Sequence, residues 1–337
     1  MKTTFGEVTM SKVSPLCQCP NGFQISPLLQ EHFCRIGSKL VFEEASEEME
    51  EMLNIEVNPK QVERVCHCYG GLIGQIDWRE AYSDSVQLKI SFKKDENVYA
   101  MADGSMLLTR EESWKEVKLG RVFTTSSLCE VSKGRGIIMD SVYTAHLGNA
   151  SEFWERFSKE IPSTKNLVFI ADGSKWIWNY INGQYPSSIQ ILDFYHCKEH
   201  ICHFAKECTG KNEGDKKAFI DMVIDKLFGK DIEGAISLID QVKCTTKVGE
   251  TEKGKLVNYL KENKGRINYG DFISKGLLIG SGPIEASHRD IIQKRLKLSG
   301  QRWTIKGAQQ IANLRIYKNS NRWQNVVSLI TDYKKVA

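Results

Sequence analysis

Two aspartates share one setting in this sequence. Asp103 lies in VYAMADGS, residues 98–105, and Asp172 in LVFIADGS, residues 167–174. Each ends a short apolar run of the kind that forms a strand buried on both faces. Each is followed by glycine, which turns sharply and keeps bulk away from the carboxylate. In α/β sheets, ligands and catalytic groups gather beyond the carboxyl ends of strands. If the two strands are neighbours, the carboxylates converge, and converging like charges need a cation between them. A hard divalent ion with oxygen ligands meets that need. Two such ions about 4 Å apart can hold the attacking and leaving oxygens of a phosphoryl transfer. Glu285, in GSGPIEASHRD, adds a third carboxylate at the start of a helix opened by Gly282 and Pro283. Ordinary roles exist for all three: Asp-Gly is common in turns, and a first-turn acid complements the helix dipole and reaches Arg289 four residues on. A phosphohydrolase of the haloacid-dehalogenase type would want a further Asp two residues before the second one. Those positions hold Met101 and Ile170.

The surrounding pattern predicts the elements that carry these residues. Residues 27–70 read as helical, with Ser26 and Pro27 as a start signal for one segment running to about residue 53. After a short break, Asn58 is placed to cap a second helix with Pro59 at its first position and Gln61 at its third. A helix, a short turn and a capped second helix is the plan of a helix-turn-helix DNA reader, whose exposed face would carry Lys60, Gln61 and Arg64. A purely structural hairpin has the same pattern. From residue 98 the order is three strands, a helix, a strand, a helix and a strand, which predicts an α/β sheet covered on both faces. Residues 197–275 return to a helical period, as an insertion before the Gly-Pro helix.

The 337 residues can bury a sizeable core in two or three domains. A hydrophobic content of 41% and a charged content of 26% are those of an ordinary globular protein. No apolar run approaches the length of a membrane span, and MKTTFGEVTMSK has no apolar signal core. Ten cysteines without such a signal point to reduced thiols in a cytoplasmic setting. The net charge of +4 says little, but its distribution says more. Residues 41–51 are acidic, and the last fifty residues are basic, an electrostatic footprint for nucleic acid.

The segments VYAMADGSMLLTREESWKEVKLGRVF, LVFIADGSKWIWNYINGQYPSSIQILDFYHCKEH and GSGPIEASHRDIIQKRLKLSGQRWTIKGAQQIANLR resemble the three blocks of bacterial insertion-sequence transposases of the DDE type. That group is related to the Mutator-like elements of eukaryotes. The resemblance covers roughly residues 15–325. It implies an RNase H-like catalytic domain (96–196 and 276–337) with a helical insertion (197–275), preceded by a helical DNA-binding region (1–95). It also implies Asp103, Asp172 and Glu285 as catalytic metal ligands for two Mg²⁺ or Mn²⁺ ions. DFYH matches an accessory motif of the family, here Asp193 and His196, that helps position DNA. The implied activity is metal-dependent strand cleavage and transfer at the ends of an insertion sequence. The implied partners are double-stranded DNA, as terminal inverted repeats and target, and a second copy of the chain on DNA, with the bacterial nucleoid as the setting and no membrane. The alternative is a domesticated or inactive derivative that binds DNA without cutting it. One departure concerns zinc: relatives often begin with paired ligand cysteines, whereas this chain has only Cys17 and Cys19, with Cys34 nearby.

Two further groupings are weighed against bland uses. His196, His200 and His203 fall on one helical face, a spacing that can bind zinc, but packing and service to the active site are the expected use, so zinc is not expected. Trp303 beside Arg302 could stack on unpaired bases, although core tryptophans are commoner. Arg289, Arg295, Lys297 and Arg302 are the expected contacts to the DNA backbone near Glu285, salt-dependent and largely sequence-independent.

Overall fold

The structure, a computed structural model, describes residues 2–3, 6–7, 23, 25–75, 90–132, 135–208 and 212–331. Cys17 and Cys19 lie outside the described residues. The chain is a mixed α/β protein with two compact units. Unit 1 takes Met1–Phe92, Gly104–Pro162 and Ala286–Ala337, and unit 2 takes Lys93–Asp103 and Ser163–Glu285. These divisions cut across the segments expected from the sequence, because the first long strand and the Gly-Pro helix each run from one unit into the other.

Unit 1 begins with a two-strand ribbon, β1 (Lys2–Thr3) and β2 (Gly6–Glu7). Three helices follow: α1 (Pro27–Gly37), α2 (Phe42–Leu53) and α3 (Pro59–Ile73). The caps are those predicted: Ser26 accepts from the Leu29 amide and Asn58 from the Lys60 amide. The single helix expected over 27–53 is instead two. Gly37 ends the first of them and packs closely on α3, where a Cβ would stand 2.7 Å from Cys66 Sγ. The two carbonyls freed by the break are also satisfied: Arg295 Nε donates to Gly37 O at 3.1 Å, and Arg315 donates to Ser38 O. A helix end with its carbonyls capped by guanidinium groups is stable where an uncapped one would not be.

The sheet begins with β3 (Val98–Leu108) and β4 (Trp114–Thr124). The small hairpin of β5 (Leu128–Ser132) and β6 (Arg135–Ile138) forms a separate sheet. Then come β7 (Val142–Leu147), α4 (Ala150–Glu160), β8 (Leu167–Ala171), α5 (Lys175–Gln184) and β9 (Ile189–Leu192). The order across the five-stranded sheet is β7-β4-β3-β8-β9. In unit 1, β4 and β7 run antiparallel from Val117↔Leu147 to Val122↔Val142. α4 covers this pair with Phe153, Trp154 and Phe157, all fully buried. Gly120 lets Phe157 down onto β4, because a Cβ there would lie 2.5 Å from its ring. In unit 2, β3, β8 and β9 are parallel neighbours. Parallel strands need long crossovers, and α5 supplies the one between β8 and β9.

Unit 2 continues as helices: α6 (Phe194–Cys208), α7 (Glu213–Phe228), α8 (Ile232–Asp240), α9 (Lys247–Glu262) and α10 (Tyr269–Ser274). Arg266 fastens this helical segment to the sheet region. Its guanidinium lies over the Trp178 ring at 4.3 Å and donates to Gln190, Asn182 and Asn263. After α11 (Gly282–Ser287), a π-helical turn over His288–Gln293 leads to α12 (Lys294–Leu296). The chain then forms α13 (Ile305–Asn319) and α14 (Trp323–Thr331). In unit 1, α13 packs on α3 and β7. Arg322 and Glu160 form a two-pronged, largely buried ion pair at 2.8 Å.

Candidate active site

The parallel strands of unit 2 bring the expected carboxylates into one row. Met101 on β3 pairs with Ile170 on β8, and Asp103 and Asp172 each follow two residues later. Ala171 pairs with Leu192 on β9, so Asp193 extends the row. Adjacent strands lie about 4.8 Å apart, and residues in matching register face the same side. The positions preceding the row, Ala102, Ala171 and Leu192, are buried. The row therefore marks the edge of the apolar layer.

The two Ala-Asp-Gly-Ser segments nevertheless differ. The expectation that both end strands holds for Asp172 alone. β8 stops at Ala171, whereas β3 continues through Asp103 to Leu108. The reason is pairing: beyond Asp103, β3 runs on into the hairpin with β4. Gly104 there leaves room for a side chain of β4, since a Cβ would lie 2.1 Å from Glu116 Oε1. Ser105 points to His288 Nδ1 at 3.1 Å. In the second copy the chain does turn. Ser174 donates its amide to Asp172 Oδ1 and its hydroxyl to Oδ2, both at 2.9 Å. Trp178 Nε1 donates to the Asp172 carbonyl at 2.6 Å. Gly173 is required by Tyr259 of α9, whose ring would be 2.6 Å from any Cβ. Burial, and then the nearby Cys197, Asp172 and Asp193, hold the Tyr259 phenol far above its usual range. Its hydroxyl is buried without a hydrogen-bond partner among the described residues.

Asp193 is 2% exposed and caps α6. Its carboxylate accepts from the amides of Tyr195 and His196 at 3.1 and 3.2 Å. It also accepts from the Ser281 amide at 3.2 Å and the Ser281 hydroxyl at 2.9 Å. Four donors compensate a buried charge that would otherwise be costly. Ser281 Oγ is also 2.9 Å from Glu285 Oε1. One hydroxyl proton thus faces two carboxylates. Asp193 acts here as the clamp that fixes the Ser281 turn and, through it, the start of the helix bearing Glu285. Glu285 itself is exposed, and Asp103 and Asp172 are half-buried.

His196 is half-buried beside this clamp. Its Nε2 is 3.3 Å from His200 Nε2, and its Nδ1 is 3.7 Å from Glu199. The His200 ring lies 4.5 Å from that of Tyr259, centroid to centroid, and burial lowers its pKa, with His196 adding to the effect. His203 turns instead to Glu252 at 3.5 Å. The helical face expected to carry three histidines therefore brings two together. Among the described residues, no three His, Cys, Asp or Glu side chains are grouped closely enough to hold a metal ion. The donor chemistry of Asp103, Asp172 and Glu285 suits a hard divalent cation, but the three carboxylates do not already share one coordination shell.

The expected DNA contacts divide in two. Lys60 is exposed and pairs with Glu63 at 2.7 Å. Gln61 is half-buried, and Arg64 is exposed with its guanidinium over Phe23. Arg289, Lys297 and Arg302 are exposed. Arg295 and Trp303 require correction. Arg295 is 1% exposed, lying 4.8 Å from the rings of both Phe42 and Trp303. Trp303 is 9% exposed and joins the end of β3 through a bridge to Thr109. Cation–π contact holds the Arg295 guanidinium between the two rings, so both are packing groups at the floor of a cleft rather than exposed side chains. Sequence reasoning missed Ser281, Ser174 and Tyr259. The two serines had a readable signal in the Gly-Ser-Gly and Asp-Gly-Ser turns, while Tyr259 had none.

Among the described residues, no helix is long and apolar enough to cross a membrane, and Cys34, Cys66, Cys68, Cys129, Cys197, Cys202, Cys208 and Cys244 are free thiols. No protein-family model matches the chain, and no curated protein matches it.

Proposed function

We propose that this chain is a DDE-type transposase: a metal-dependent enzyme that cleaves DNA strands and transfers them at the ends of an insertion sequence, built on an RNase H-like domain. The observation that carries the reading is the matched register of the adjacent parallel strands that lead to Asp103 and Asp172, each two residues beyond the Met101–Ile170 pair. The strand sequence also supports it. Within the five-stranded sheet, Asp103 lies on the first strand in chain order and Asp172 follows the fourth, while Glu285 opens a helix after a helical insertion. The three helices of residues 27–73 would be the reader of the terminal repeats, with Lys60 and Arg64 on the exposed side of α3.

Asp103, Asp172 and Glu285 would hold Mg²⁺ or Mn²⁺, which supplies activation of the attacking oxygen and charge neutralisation at the phosphate. Phosphoryl transfer asks the protein mainly for positioning, and the remaining residues fit that task. Asp193 fixes Ser281, and Ser281 orients Glu285. Ser174 sets the rotamer of Asp172 through both carboxylate oxygens. No Ser or Cys nucleophile is required.

One observation favours the second reading, a DNA-binding protein without catalysis. Both oxygens of Asp172 are already engaged by Ser174, and no ready-made three-carboxylate group is present. The deciding experiment is cleavage of a labelled duplex carrying the element's ends under Mg²⁺ or Mn²⁺. Wild type should nick at the repeat boundary, while Asp172→Asn and Glu285→Gln bind but cut about a thousandfold more slowly, the scale of losing one preorganised electrostatic group. Tight binding by wild type with no cutting would establish the second reading instead.

A further inference from the structure

The C-terminal ends of α1 and α13 meet within unit 1 around a cleft of about 510 Å³ lined by Lys39, Asp290, Lys294, Arg315, Lys318 and Asn319. Four cations face one carboxylate there. Two of the four are already committed. Lys294 pairs with Asp290 at 2.6 Å, and Arg315 donates to the carbonyls of Ser38, Asp290 and Ile291. Lys39 and Lys318 remain. Both line this one cleft, and neither has a carboxylate partner among the described residues. Burial, then Lys39, Arg315 and Arg35, push Lys318 down to about 8. A helix C-terminus attracts cations, which accounts for one lysine at the end of α13 but not for Lys39 and Lys294 gathered in the same cleft.

We propose that Lys39 and Lys318, with Lys294 beside them, form a phosphate-binding site. An oxyanion between the two ammonium groups would turn their repulsion into attraction. Lysine suits this role, as a compact point charge that binds phosphate without demanding one bidentate geometry. The phosphate can come from the backbone of a nucleic acid or from a free phosphate ion. None of these residues belongs to the row of carboxylates in unit 2, and the inference stands without the strand-transfer reading.

The test uses the full chain, inorganic phosphate as the probe and the double variant Lys39→Gln/Lys318→Gln. Thermal unfolding is followed with chloride and with phosphate at equal ionic strength. In chloride, the variant should unfold at a higher temperature than wild type, because the repulsion is gone. Phosphate should raise the unfolding temperature of wild type and leave the variant unmoved. An equal phosphate increment in both proteins overturns the proposal. A second arm measures binding of a labelled duplex against salt. A fall of about 2 in the slope of log affinity on log salt, about 1 per lysine, assigns the site to a nucleic-acid backbone. An unchanged slope, or no duplex binding by wild type, together with a lost phosphate increment assigns it to free phosphate. A chain that fails to cut DNA yet shows the phosphate increment leaves this site standing and removes only the catalytic reading.

Discussion

Asp103 and Asp172 each lie two residues beyond the Met101–Ile170 pair, at the same level of two neighbouring parallel chain segments. That relationship turns two similar peptides far apart in the chain into one chemical feature. It also separates their roles, because Asp103 sits inside a strand that continues whereas Asp172 sits in a turn built by its own serine. A strand interior holds its side chain through the pairing on either side, and a turn does so through local hydrogen bonds.

The clamp at Asp193 should be visible as stability. Asp193→Ala leaves the Ser281 amide and two helix-end amides without their charged acceptor, and should cost about 2–4 kcal/mol in urea unfolding. Asp193→Asn keeps part of the acceptor set and should recover about half of that loss. Ser281→Ala, which removes only the bridging hydroxyl, should cost about 1 kcal/mol. Equal losses for Asp193→Ala and Ser281→Ala would show that the helix cap contributes nothing of its own.

Gly173 and Tyr259 should behave as a coupled pair. Gly173→Ala pushes a methyl group into the Tyr259 ring and should destabilise by about 1–3 kcal/mol through overpacking. In Tyr259→Ala the same substitution should be nearly neutral. A double-mutant cycle measures the coupling, and an additive result would mean that the ring does not press on the Asp172 turn.

Arg295 is predicted to be a structural residue despite its place in the basic tail. Arg295→Ala should lose about 2–4 kcal/mol, since it empties the space between Phe42 and Trp303. Arg295→Met fills that space without a buried charge but leaves the Gly37 carbonyl without its donor, and should recover about half of that loss. Neither should change the salt slope of DNA binding, whereas Lys297→Ala and Arg302→Ala should each lower it by about 1 with stability intact. A lowered slope for Arg295→Met, read by anisotropy, would place the guanidinium on DNA after all.

Lys318 gives a pH dependence with a definite sign. Its folded value of about 8 lies below the ordinary 10.5. Between those values the unfolded chain holds more protons than the folded one, so this group makes stability rise with pH. Below pH 8 the cost of the charged lysine is fully present. Lys318→Gln should therefore be more stable than wild type at pH 7, and the margin should shrink as pH rises from 8 towards 10.5. Burial raises the thiols Cys197 and Cys208, and they work in the opposite direction, but they are common to both proteins and drop out of the difference. A margin that stays constant across the window in urea titrations would show that Lys318 is not depressed.

Local physics made much of this protein legible before any fold was known. The stretches 98–102 and 167–171 are written in continuous apolar runs, and the caps at Ser26 and Asn58 in single side chains that reach only two or three residues. The alternation of strands and helices, and with it the mixed α/β class, follows from the same short-range rules. What the tertiary structure decided depends on residues far apart in the chain. The sequence placed a continuous helix over 27–53, because nothing local shows that two arginines 258 and 277 residues further on donate to the carbonyls at its break. It placed Arg295 and Trp303 on a nucleic-acid surface, because charge and aromaticity read alike whether a side chain faces water or another ring. It found Asp193 as part of a motif but not the serine that completes the clamp. Lys39 and Lys318, near the ends of separate helices, came to line one cleft only through packing. Periodicity and capping are properties of neighbours along the chain, whereas burial, register and the company a charge keeps belong to the folded whole.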